Sequence, residues 1–217
     1  MTKTSLIFAT FLLSFSTQTP AQNIYLQPCL KLCVIMYGDQ SGSMDSATSD
    51  IHRWARGMTL IPASKGYSEV GLYSFKSYFM EWSPPTGSKE ELVEAIDSFC
   101  VEPVGGGTNP HSGLMKIDSI FAERRLQDST ERQVILIHSD YHWDDFPASQ
   151  EKLKEIISHG VIVILSLPRS YDGCREKYDI HEQNLFLLTN DGGVNIRSNF
   201  RLFKEILETL KAIVPCG

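Results

Sequence analysis

Apolar and polar positions along this chain follow two rhythms that take turns. Leu32-Cys33-Val34-Ile35-Met36-Tyr37 is an unbroken apolar run, and 134–137 and 161–165 are runs of the same kind. Such runs suit strands buried on both faces of a parallel sheet. Between them, apolar residues recur every three or four positions. Ile51, Trp54, Ala55, Met58 and Ile61 mark one helix. Leu92, Ile96 and Phe99 mark a second over 89–99, and Leu114, Ile117 and Phe121 a third. A fourth is predicted over 151–158, stopped by Gly160. Phe203, Ile206, Leu207, Leu210 and Ile213 form the stripe of a closing helix. Residues 69–75 and 77–82 read as two strands with a tight connection, and 185–188 as a last strand. The series predicts an α/β fold. It is a doubly wound, mostly parallel sheet with one antiparallel edge strand and helices on both faces.

Composition adds little to this picture except at the start. The chain has 217 residues, 42% hydrophobic and 21% charged, which is enough for one sizeable core. Lys3 precedes an apolar stretch, Leu6 to Leu13. Thr19 and Ala21 then fit the small-residue positions of a cleavage site. Residues 1–21 therefore read as a secretory signal peptide, and 22–217 as a single domain. The apolar stretch is shorter than the ~20 residues a spanning helix needs. No later segment is apolar enough, so no membrane span is expected in the mature chain. The expected location is secreted, periplasmic or otherwise extracytoplasmic.

Charge and cysteine content narrow the partners and the redox setting. The net charge is −6, with no cluster of Lys or Arg, which argues against nucleic acid as a partner. All five cysteines lie beyond the leader, and an odd number leaves at least one thiol free or intermolecular. Cys33, inside an apolar strand, reads as a buried thiol. Cys29 and Cys216 bracket the domain and are the candidate disulfide, although spacing alone does not fix the pairing.

The candidate chemistry sits where the first apolar run ends. Asp39-Gln40-Ser41-Gly42-Ser43 offers one carboxylate and two hydroxyls within five residues, a hard-oxygen set that suits Mg²⁺ or Ca²⁺. The same stretch, followed by Asp45 and Ser46, also has the composition of an ordinary helix entry. Two further segments favour the cation. Gly105-Gly106-Gly107 ends in Thr108 at a helix entry, and the run at 134–137 ends in His138-Ser139-Asp140. Singly, Thr108 is an N-cap and Asp140 opens a turn. Together they bring two carboxylates and three hydroxyls to the carboxyl edge of one sheet, where doubly wound folds bind ligands.

These residues resemble the von Willebrand factor type A (vWA) domain, and the resemblance covers roughly 31–214. Its metal-ion-dependent adhesion site (MIDAS) has the pattern Asp-x-Ser-x-Ser, then a distant Thr and a distant Asp. Here the pattern falls on Asp39, Ser41, Ser43, Thr108 and Asp140. The resemblance implies a Mg²⁺ ion, or Ca²⁺ or Mn²⁺, held mainly by the hydroxyls of Ser41 and Ser43. Thr108 would bind directly or through water, and Asp39 and Asp140 mostly through water. An open position would then accept an acidic residue from a protein ligand. That implies metal-dependent adhesion or protein–protein interaction without catalysis.

The chain also departs from the family pattern. Tyr141 stands where Gly is common, and Gly38 where an apolar residue is common. Tyr141, His142 and Trp143 form either a partner-binding rim beside the site or a plug packed on the domain. Two other functions compete. In a metal-dependent hydrolase, His138, Asp140 and His142 would point one way from an extended backbone and bind zinc. In a structural domain, the metal site would stay empty.

Overall fold

The computed structural model describes residues 31–63, 68–167 and 185–189. The chain runs through β1 (Leu32–Asp39), a 3₁₀ turn (Gly42–Ala47) and α1 (Thr48–Ala63). It continues through β2 (Ser68–Phe75), β3 (Phe79–Thr86), α2 (Lys89–Val101) and α3 (His111–Gln127). Then follow β4 (Arg132–His138), α4 (Phe146–Ser158), β5 (Ile162–Leu167) and β6 (Leu185–Thr189). The strands pair in the order β3-β2-β1-β4-β5-β6. All pairings are parallel except β2 with β3. This is the expected doubly wound sheet with one antiparallel edge strand.

The apolar runs are continuous because both faces of the sheet are covered. Along β1, Val34 and Met36 join one core with Ile51, Trp54 and Met58 of α1 and Leu92, Ile96 and Phe99 of α2. Cys33, Ile35 and Tyr37 join the opposite core with Leu114, Ile117 and Phe121 of α3 and Leu153 and Ile156 of α4. Each fully buried aliphatic side chain of this size contributes about 1.5–3 kcal/mol. Strand order reverses between β1 and β4, so the carboxyl ends of these two strands flank the crevice of the fold.

Three boundaries differ from expectation. The second hairpin strand lies at Phe79–Thr86 and not at 77–82, and it runs through Pro84 and Pro85. A sheet edge tolerates Pro because one side of the strand needs no donors, and the pairing with β2 shifts register near this point. The helix expected over 151–158 begins at Phe146, with Pro147 in its first turn. Strand β1 extends to Asp39, so the first carboxylate belongs to the strand itself.

Cys33 is a buried free thiol, and burial pushes its pKa up to about 12. The expected leader at 1–21, Cys29, Cys216 and the expected closing helix lie outside the described residues. Among the described residues, no helix is long and apolar enough to cross a membrane.

Candidate cation site

The site begins with a carboxylate that burial makes expensive to ionise. β1 and β4 run in register, with Gly38 beside His138, which sets Asp39 next to Ser139. Asp39 is fully buried. Its Oδ1 accepts the Ser41 amide at 2.9 Å, and its Oδ2 accepts the Ser139 hydroxyl. Burial pushes the carboxyl up to about 6 against the pull of the Ser139 and Ser41 hydrogen bonds, and the nearby charge of Asp140 adds to the rise. A divalent cation beside this carboxylate would relieve that cost.

The two serines supply a hydroxyl pair. Ser41 Oγ and Ser43 Oγ lie 3.0 Å apart. Ser41 is buried and Ser43 exposed, so the pair reaches from the floor of the loop to its surface. Met44, buried below, anchors the 3₁₀ turn. Gln40 fixes the start of the loop. Its amide donates to the Phe75 carbonyl, its side-chain Nε2 to the Phe99 carbonyl, and its Oε1 accepts the Ser74 hydroxyl.

The glycine loop lies directly against this turn. The Gly42 amide donates to the Gly106 carbonyl at 3.0 Å, and the Gly105 amide to the Gln40 carbonyl at 2.9 Å. Gly106 has φ +83°, and a Cβ there would lie 2.9 Å from Ser77 Oγ. Only glycine allows both the conformation and the approach. Thr108, buried at the end of the loop, is held by Asp144.

Asp140 is buried just beyond β4, and its Oδ1 accepts the His142 amide at 3.0 Å. The residue after it, Tyr141, has φ +60°, the left-handed region. The pattern that the sequence resembles commonly has Gly there, and the backbone keeps the glycine-like conformation. Tyr141 compensates through its hydroxyl, which donates to the Ile137 carbonyl, and its ring, 5.2 Å from that of Trp143. The unusual Gly38 is explained as well. A Cβ there would lie 2.9 Å from the Trp54 ring and 3.1 Å from Phe99.

Tyr141 and Trp143 are 1% and 6% exposed and pack into the core with residues of α3 and α4, which fits the plug, while His142 is exposed. One expectation is corrected here: the alternating zinc set of His138, Asp140 and His142 does not form. It required an extended backbone, and Tyr141 turns left-handed within it. His138 instead stacks on Trp54 with centroids 5.3 Å apart, bonds Ser166 Oγ through Nδ1, and is pushed by burial down to about 3. Among the described residues, no group of three or more His, Cys, Asp or Glu side chains could hold a metal ion. The polar atoms shown together at this loop are the paired Ser41 and Ser43 hydroxyls and the Asp39 carboxylate, which the Ser41 amide bonds.

Gln40, Ser139 and Asp144 were not singled out by the sequence pattern. Their partners lie far along the chain, 34 to 100 positions away.

A family model described as the von Willebrand factor type A domain matches residues 34–142. No curated protein sequence matches the chain. Among solved structures, the pilus adhesin SpaC of Lactobacillus rhamnosus GG in its open conformation aligns with TM-score 0.61 and 15% identity. The alignment covers 85% of this chain and 30% of SpaC. Manganese-loaded TRAP protein of Plasmodium vivax aligns with TM-score 0.55 and 15% identity, covering 82% of this chain and 73% of that one. Proximal thread matrix protein 1 of the mussel byssus, with a zinc-occupied MIDAS motif, aligns with TM-score 0.60 and 11% identity. Coverage there is 86% of this chain and 47% of the mussel protein. At these identities the likeness is one of fold.

Proposed function

The chain belongs to the von Willebrand factor type A domain family, and we propose that it binds a divalent cation and uses it to engage a protein partner outside the cytoplasm. The cation is Mg²⁺, or Ca²⁺ or Mn²⁺, and Asp39, Ser41, Ser43, Thr108 and Asp140 would hold it. The observation that carries this reading is the pairing of the Ser41 and Ser43 hydroxyls at 3.0 Å beside the buried Asp39. Five hard oxygen donors suit these ions better than a soft one.

A bound cation would supply one open coordination position to an acidic residue of the partner. The residues of the chain prepare that position. Ser41 and Ser43 contribute neutral oxygens, and hydrogen bonds from the Ser41 amide and the Ser139 hydroxyl occupy both oxygens of Asp39. The serine hydroxyls add no charge beside the ion, which would leave it able to attract an outside carboxylate. The gene product would be exported by its leader and act as an adhesion or interaction module.

Calorimetric titration with Mg²⁺ and Mn²⁺ tests the reading. Wild type should bind one ion, and Asp39→Ala should not, while circular dichroism shows both folded. Equal binding by the two proteins would sink the assignment, and no binding by wild type would leave a structural domain with an empty site.

A further inference from the structure

Ser139 directly precedes Asp140 and bonds Asp39, yet it is not one of the five candidate ligands. It is fully buried. Its Oγ accepts the Tyr141 amide at 2.9 Å and the Trp143 indole Nε1–H at 2.8 Å. A serine hydroxyl has two acceptor lone pairs and one proton. Both lone pairs are taken by nitrogens that can only donate. The single proton therefore has one direction left, toward Asp39 Oδ2.

We propose that Ser139 is the positioning residue of the cation site, fixing the rotamer of Asp39 with a hydroxyl that Trp143 and Tyr141 lock into the donor role. This rests on the cation-binding reading above. The lock spans 100 residues of sequence and ties the loop after β4 to the end of β1. The Ser41 amide holds the other oxygen, so the carboxylate is fixed at both ends. Without the hydroxyl, Asp39 keeps only its contact with its own loop and turns about its side-chain bonds. Supporting groups that orient a metal ligand in this way typically contribute about 10–100-fold in affinity.

The test is calorimetric titration with Mn²⁺ and Mg²⁺ of wild type, Ser139→Ala, Ser139→Cys and Ser139→Thr. Cys nearly preserves volume but is a weak donor, so it serves if Ala does not fold. A core variant far from the loops, Phe121→Leu, calibrates the effect of lost stability alone. Ala and Cys should weaken cation affinity about 10–100-fold, Thr should restore most of it, and Phe121→Leu should lower Tm without changing affinity. A wild type that binds no cation overturns the site itself. A wild type that binds, with Ser139→Ala and Ser139→Cys binding equally well, overturns the positioning role and leaves the site standing.

Discussion

Thr108 and Asp144 hold each other twice. The Thr108 amide donates to Asp144 Oδ2 at 2.8 Å, and the Asp144 amide donates to the Thr108 carbonyl at 2.9 Å. The pair clips the end of the glycine loop to the segment between β4 and α4. It brings a candidate ligand under the control of a residue 36 positions away. A Cβ on the neighbouring Gly107 would lie 2.9 Å from that same Asp144 oxygen, so the clip also requires glycine beside it.

Asp144→Ala removes one side of this clip. Asp144 is exposed, so the stability cost should be modest, about 1 kcal/mol for a hydrogen bond to a solvated carboxylate. The effect on the loop should be larger than the effect on the fold. Urea denaturation and Mn²⁺ titration of the same variant separate the two. Cation affinity should fall while the midpoint shifts little, and unchanged affinity would remove Asp144 from the site.

Tyr141 sets two effects against each other. Tyr141→Gly relieves a left-handed conformation that costs a non-glycine residue about 1–2 kcal/mol. It also empties a buried aromatic site, at about 3–5 kcal/mol. Packing should win, with a net loss of about 1–4 kcal/mol. Tyr141→Phe keeps the ring and should lose the hydrogen bond to the Ile137 carbonyl, about 1 kcal/mol. Denaturation midpoints of the two variants decide the matter, and a stabilised Tyr141→Gly would show that strain dominates.

His138 makes stability depend on pH. Burial holds its folded pKa down to about 3, whereas the unfolded value is near the ordinary 6.5. Between those values the unfolded chain binds the extra proton. Stability from this group is thus complete above about pH 6.5 and is lost progressively as pH falls toward 3. The slope is at most about 1.4 kcal/mol per pH unit. His138→Phe keeps a ring against Trp54 and removes the titration. Its stability should fall less steeply than wild type between pH 6 and 4 in denaturant melts, and parallel curves would refute the assignment.

The sequence carried the frame well for physical reasons that the packing explains. β1, β4 and β5 were readable because apolar residues face both cores, as Val34 and Ile35 do. The edge strand runs past its expected end through Pro84 and Pro85, residues that an edge tolerates but that carry no strand signal in sequence. The candidate ligand pattern can be proposed from sequence because it is local or lies at strand ends. Its supports cannot. Gln40 bonds residues 34 and 59 positions away, and Ser139 reaches across 100. The aromatic residues after Asp140 have a composition that fits either an interface or a core. Only burial distinguishes them.

The central claim is that paired serine hydroxyls and buried carboxylates at this sheet edge hold a divalent cation. Electron paramagnetic resonance of Mn²⁺ tests it most directly, because the sharp signal of the hydrated ion broadens when the ion is bound. Wild type should deplete the free-ion signal with one-to-one stoichiometry, Mg²⁺ should compete, and the double variant Ser41→Ala, Ser43→Ala should leave the signal intact while remaining folded. Depletion of the signal by the double variant as strongly as by wild type would contradict the account.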